Sequence, residues 1–299
     1  MNEDRFEIVE ISKKCIFSKI PTRKEDSHKG DFGKLLNISG SSEYMGAPIL
    51  STLAAMRCGA GYVILASTKR VCDSSADQLI ECVMYPLEEN NSGTISFMEV
   101  DKILKKIEKC DAVTIGSGLG INNETINIVY NIIEKSQKPI VIDADGLNAI
   151  SKNQEILLNK KAPIILTPHL MELSRLIGID IEELKKDKIG HALEFSKKYN
   201  VTIVVKGHPT YIVFPDNKVF KNSTGNSGMA KAGSGDVLTG LIGSFIVQGL
   251  SEEDAVLCGV YIHGLAGDYA AERLSKHFML PRDIINSLSK VFIEIEKSK

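Results

Sequence analysis

Hydrophobic residues along this chain fall into two alternating rhythms. Short, nearly continuous apolar runs read as strands at residues 34–40, 61–66, 112–116, 139–143, 163–167 and 201–205. Between several of them, apolar residues recur three or four apart, which predicts helices over 47–58, 98–109, 122–136 and 182–199. Uninterrupted apolar strands separated by helices predict a mostly parallel sheet covered by helices on both faces. Tyr211 to Phe214 and Val219 to Asn222 flank Pro215-Asp216-Asn217-Lys218 and predict a hairpin. Large apolar residues then recur at 237/238, 241/242 and 245/246, so a helix is expected directly after a glycine-rich segment. Ser251-Glu252-Glu253-Asp254 predicts another helix start, with the hydroxyl as cap and acids in the first turn. With no repeat, linker or composition break, the expectation is one α/β domain.

Composition adds enough apolar material for a large core, 43% of 299 residues. A formal charge of -2 argues against a nucleic-acid surface or a polybasic membrane anchor. The start, Met1-Asn2-Glu3-Asp4-Arg5-Phe6, has no apolar core like a signal peptide. Apolar runs stay shorter than the ~18 residues of a membrane span. Six scattered cysteines (15, 58, 72, 82, 110 and 258), with no C-x-x-C, read as buried thiols rather than disulfides or metal ligands. A soluble, cytoplasmic protein is expected.

The most informative segment is Asn222 to Asp236, with four glycines between Gly225 and Gly235. Glycines let backbone N–H groups turn toward one point without side-chain clash. The helix expected from Asp236 onward adds free donors and partial positive charge. Together they suit a phosphate. A carboxylate beside a phosphate is repelled unless it has another task, so Asp236 is the candidate proton-handling group. A flexible loop whose Asp merely caps a helix is the plainer alternative. Other distinctive words follow strands: Gly40 to Pro48, Gly116 to Gly120, Asp143 to Asn148, Thr167 to His169, and Lys206 to Thr210. In open α/β sheets ligands bind at the carboxyl ends of strands. Any one word reads as a turn; together they favour a shared site.

In order, H-K-G-D-F-G (His28 to Gly33), D-A-D-G-L-N, T-P-H, K-G-x-x-T and G-M-A-x-x-G-S-G-D make the chain resemble a known family. It is the ADP/ATP-dependent NAD(P)H-hydrate dehydratases, a branch of the ribokinase-like superfamily, and the likeness runs from about His28 to about Glu272. It implies an N-terminal extension at 1–27 and a ribokinase-like domain at 28–299. The implied reaction is repair: the S-epimer of hydrated NADH or NADPH loses water at the expense of ADP, releasing AMP and phosphate. Asp236 would be the catalytic base. Gly233, Ser234 and Gly235 would hold the transferring phosphate, and Lys206, Gly207, His208, Pro209 and Thr210 would bind nucleotide. Ala47, Gly118, His169 and Asp236 would contact the hydrated dinucleotide. Asp143 and Asp145 would arrange a magnesium-bound water or fix a turn. Mg2+ is expected with the nucleotide, without a dedicated carboxylate cage.

The resemblance also implies a homotetramer and, because no epimerase domain precedes His28, a separate epimerase as functional partner. Two positions depart from the family pattern: Met171 replaces a Gly and is expected to alter the floor beside His169, and Ser227 replaces a Pro. The competing enzyme is a ribokinase-like kinase of a pyrimidine or thiazole alcohol. A nucleotide-sensing binding protein is disfavoured, because binding alone gains nothing from Asp236.

Overall fold

The computed structural model describes residues 6–299, in which ten strands form a single sheet. They are β1 (Ile8–Glu10), β2 (Lys34–Ile38), β3 (Tyr62–Thr68), β4 (Val83–Leu87), β5 (Ala112–Ile115), β6 (Ile140–Ile142), β7 (Ile164–Leu166), β8 (Thr202–Val205), β9 (Thr210–Val213) and β10 (Val219–Asn222). The order is β1-β10-β9-β8-β7-β6-β5-β2-β3-β4. Only β9 runs antiparallel to its neighbours, pairing Val213 with both Ile203 and Val219. Twelve helices accompany them: α1 (Lys13–Lys19), α2 (Gly46–Cys58), α3 (Lys69–Ser75), α4 (Val100–Ile107), α5 (Asn123–Lys135), α6 (Asp145–Ile150), α7 (Leu170–Ile177), α8 (Ile181–Lys186), α9 (Lys188–Tyr199), α10 (Ser234–Val247), α11 (Glu252–Leu274) and α12 (Pro281–Lys297).

Alternation along β2 shows how the sheet divides the core. Leu35 faces the layer of α2, α10, α11 and α12, whereas Leu36 and Ile38 face the layer of α4 to α9. The order in which strands are added reverses at β2: β3 and β4 lie to one side of it, and β5 to β8 to the other. The crevice at the carboxyl ends of β2 and β5 is therefore the position where such sheets bind ligands.

Helix α10 is apolar nearly all round, and that places it centrally. Gly240 and Gly243 let it approach on two sides. A Cβ on Gly240 would lie 2.1 Å from the Ser51 carbonyl oxygen of α2, and one on Gly243 would lie 2.6 Å from Thr114 Cγ2 of β5. Beneath it, Asn37 Nδ2 donates to Ser51 Oγ (2.8 Å) and Thr52 Oγ1 (3.0 Å), and Thr114 Oγ1 donates to Asn37 Oδ1 (3.0 Å). This buried network is satisfied on every side shown, so it fixes α2 against β2 and β5 without an unpaired polar group.

Differences from the sequence expectation have local causes. The helix expected over 182–199 is two helices, broken at Asp187, whose carboxylate accepts from Gly190 N (2.9 Å) and starts α9. The one expected over 98–109 begins as a 3-10 turn, Phe97–Glu99, before α4. Strand β4 carries Pro86, which only an edge strand accommodates. Before His28, β1 adds to the opposite edge beside β10, and Ile16 and Phe17 of α1 enter the core. No helix among the described residues is long and apolar enough to cross a membrane.

Candidate active site

Helix α10 begins at Gly233, whose φ of 99° is one that only glycine adopts readily. A Cβ there would also meet Leu50 Cδ1 at 2.5 Å. The preceding loop is tied down by Lys231, whose Nζ donates to the carbonyls of His277 (2.8 Å) and Met279 (2.6 Å). No side chain caps the helix; Ser234 N donates to the Lys231 carbonyl (3.2 Å), and the amides of Gly235 and Asp236 remain for a ligand. They border a cavity of about 550 Å³ whose walls come from the loops after β6, β7, β8 and β10 and from α11.

Of the sequence-predicted residues, His169, Lys206, Gly207, His208, Thr210, Gly233, Ser234, Gly235 and Asp236 all line this one cavity. Pro209 does not, and neither do Ala47 and Gly118. Those last two form a neighbouring corner: a Cβ on Gly118 (φ 61°) would lie 3.0 Å from Ala47 Cβ and 2.6 Å from Tyr44 Cβ. Ser117 joins the corner to the cavity, because its hydroxyl lies beside Asp236. Met171 contradicts its expectation. It is 51% exposed and lies outside the cavity lining, so it is no part of a floor beside His169.

Asp236 retains some access to the cavity, while protein surrounds its carboxyl closely. Burial first, and then the like charge of Asp143, raise it from 3.8 to about 7; Ser117 and Lys206 pull the other way. A carboxyl poised there exchanges protons readily near neutral pH, as a general base requires.

Opposite it stand Asp143 and Lys206. Asp143 is 1% exposed, and its Oδ1 accepts from Lys206 Nζ at 2.7 Å. Burial works against its charge, but Lys206 and hydrogen bonds hold its carboxyl below the usual range. Burial likewise opposes the Lys206 charge, yet the carboxylates of Asp143 and Glu172 keep it raised and so cationic. Glu172 Oε2 lies 3.5 Å from the same ammonium. His169 caps α7: its Nδ1 accepts from Met171 N (3.1 Å) and Glu172 N (3.2 Å), while Glu172 accepts from His169 N (2.8 Å). Burial, followed by a mixture of neighbouring charges, lowers its pKa, so it stands neutral.

Sequence reasoning missed His263 of α11, which lines the cavity and is pushed down to about 4 by burial. The available signal was an ionisable side chain on the apolar face shared with Val256 and Val260. Glu172 was also missed as a charge partner of Lys206, since its part depends on β7 and β8 lying side by side.

A family model described as NAD(P)H-hydrate dehydratase matches residues 35–290. The chain belongs to the NAD(P)H-hydrate dehydratase family. The bifunctional NAD(P)H-hydrate repair enzyme of Thermofilum pendens is 40% identical over 271 residues, 91% of this chain and 52% of that protein. The chain thus spans about half the length of such bifunctional relatives. The ADP-dependent (S)-NAD(P)H-hydrate dehydratase of Neisseria meningitidis is 36% identical, over 84% of this chain and 81% of that one. The crystal structure of the Bacillus subtilis ADP/ATP-dependent NAD(P)H-hydrate dehydratase, co-crystallised with ATP and Mg2+, superposes with a TM-score of 0.82. It is 28% identical, covering 96% of this chain and 99% of that one. The ribokinase-like α/β fold expected from the sequence is the fold found.

Proposed function

We propose that the chain dehydrates the S-epimer of hydrated NADH or NADPH at the expense of ADP, yielding the reduced coenzyme, AMP and phosphate. The observation that carries this reading is the placement of Asp236. A carboxyl raised to about 7 sits in the first turn of a helix whose uncapped amides open on the cavity. Family membership favours this reaction over phosphorylation of a pyrimidine or thiazole alcohol.

ADP lies with its terminal phosphoryl group at Gly233 to Asp236, where main-chain donors stabilise the charge that develops on its oxygens. Lys206 supplies positive charge at the same place. The hydrated ring occupies the corner of Ala47 and Gly118 and presents the hydroxyl added to its nicotinamide to Asp236. Asp236 takes the hydroxyl proton. The hydroxyl oxygen attacks the β-phosphorus, the bond to the bridging oxygen breaks, and AMP departs. Phosphate is a far better leaving group than hydroxide. The ring carbon–oxygen bond then breaks, a proton leaves the adjacent carbon, and the dihydropyridine returns. His169, neutral and anchored through Nδ1, is the substrate-side contact at the far wall.

No group of three or more His, Cys, Asp or Glu among the described residues could hold a metal ion. Both oxygens of Asp143 are engaged, by Lys206 and by Thr239. Mg2+ in this reaction is therefore assigned to the nucleotide phosphates rather than to a protein cage. A homotetrameric assembly, a cytoplasmic location and an epimerase supplying the S-epimer belong to the same proposal. Incubating the protein with hydrated NADH and either ADP or ATP tests it. Recovery of the reduced-nicotinamide absorbance with ADP is expected, and its absence with both nucleotides refutes the reading.

A further inference from the structure

Three carboxylates and one ammonium meet where β6, α7, β8 and α10 converge. Asp143 stands at the carboxyl end of β6, Glu172 on α7, Lys206 at the end of β8 and Asp236 on α10. Asp143 Oδ2 and the Gly235 carbonyl oxygen each lie 3.1 Å from Thr239 Oγ1 and share its single proton. A single carboxylate thereby ties a lysine from one element to the first turn of another. The contact is direct: a Cβ on Gly235 would lie 3.1 Å from Lys206 Nζ and 3.3 Å from Asp143 Oδ2. Nothing stands between this ion pair and the backbone that receives the phosphate.

We propose that Asp143 is a positioning residue of the reaction: it clamps the Lys206 ammonium against Gly235, so that one fixed positive charge meets the phosphoryl group as it transfers. Asp143 stands at the cavity wall only 1% exposed, with its two carboxylate oxygens spent on Lys206 and Thr239. It acts through Lys206, and through its own charge on Asp236. A lysine is a compact charge on a flexible stem with three rotatable donors. Free at a strand end, it would sample many positions, and most would miss the phosphoryl oxygens. Clamped, it is ordered before the nucleotide arrives. A Cβ at 235 would press on both members of the pair, which would have to give by a few tenths of an ångström.

The clamp has a second consequence for Asp236. The groups facing that carboxyl are Asp143, Ser117, Lys206 and Glu172. Among these charges Asp143 has the largest effect on it and raises it. Removing that charge lowers the Asp236 carboxyl even though Lys206 is loosened at the same time.

The inference rests on the proposed dehydratase reaction, but ADP binding tests it without the hydrate. Asp143→Asn keeps the shape of the side chain and removes its charge. Thr239→Val breaks one of its hydrogen bonds and serves as the milder variant if Asp143→Asn does not fold. Calorimetric titration of each variant with ADP, a thermal melt to confirm folding, and kcat and kcat/KM against pH are the measurements. For Asp143→Asn the ADP dissociation constant should rise about tenfold, the cost of loosening one charged contact. Its kcat should fall about 10²-fold, as a displaced catalytic charge requires. The acid limb of kcat/KM should move to lower pH, a change that a purely structural defect would not make. Thr239→Val should weaken ADP binding about threefold, short of the cost of a full charged contact. ADP affinity and kcat both within about twofold of wild type in a folded Asp143→Asn protein would overturn the clamp. If ADP binding weakens as stated but no protein turns over the hydrate, the clamp stands and the dehydratase reading falls.

Discussion

Replacing Asp236 with Asn separates two consequences of one buried carboxyl. In the folded protein it titrates at about 7, against 3.8 for an ordinary aspartate. A displacement of about three units corresponds to about 4 kcal/mol as an upper bound. Between those two values the native state keeps a proton that the unfolded chain has released. Because the native state binds more protons there, the Asp236 contribution to stability falls as pH rises through this window. Asn has no charge to bury. With the partial access that Asp236 retains to the cavity, about half the bound remains, so Asp236→Asn should exceed wild-type stability by about 2 kcal/mol near pH 8. The midpoint of thermal unfolding should rise by a few degrees, and the advantage should close toward pH 4. Activity should move the other way, with kcat/KM falling about 10²–10⁴-fold. Denaturant unfolding at several pH values, paired with the hydrate assay, measures both. An Asn variant less stable than wild type at alkaline pH, or one with unimpaired turnover, would refute the buried-base reasoning.

Lys206→Met should destabilise the protein by about 3–5 kcal/mol near neutral pH, because Asp143 is left buried and unpaired. Its stability should then improve on acidification as Asp143 takes up a proton, whereas in wild type the lowered Asp143 carboxyl favours the native state above its titration; urea unfolding at two pH values distinguishes the slopes. Gly240→Ala should cost about 3 kcal/mol or more, since its Cβ would fall 2.1 Å from the Ser51 carbonyl oxygen, and a denaturation midpoint close to wild type would contradict the close packing of α10 on α2. Gly118→Ala combines a φ of 61° with a Cβ 2.6 Å from Tyr44 Cβ; KM for the hydrate should rise about tenfold, with ADP affinity held, in steady-state and titration measurements.

How much of this was legible in the chain varies by element. The central strands announced themselves because both their faces are buried, so Leu35-Leu36 and Ile140-Val141-Ile142 are apolar without interruption. Edge strands bury less, and the partly exposed, Pro86-interrupted β4 and the short, exposed β1 gave no such signal. Glycine-rich loops carry their conformational demands locally, so the turn at Gly233 could be read before any fold was known. Charge pairing cannot be read that way. Lys206 and Asp143 are 63 residues apart, and only the packing of α10 brings Thr239 to Asp143. Met171 shows the opposite limit: a departure from the family pattern, expected at the floor beside His169, turned out to be half-exposed and outside the cavity lining.

Hydrate labelled at its hydroxyl with heavy oxygen offers the most direct test of the route through Asp236. If that oxygen attacks the terminal phosphoryl group of ADP and leaves as phosphate, every turnover must place the label in the released phosphate, and Asp236→Asn must suppress the transfer. Label appearing in water instead, with unlabelled phosphate formed alongside, would mean that the ring hydroxyl never reaches phosphorus, and the proposed chemistry would be wrong.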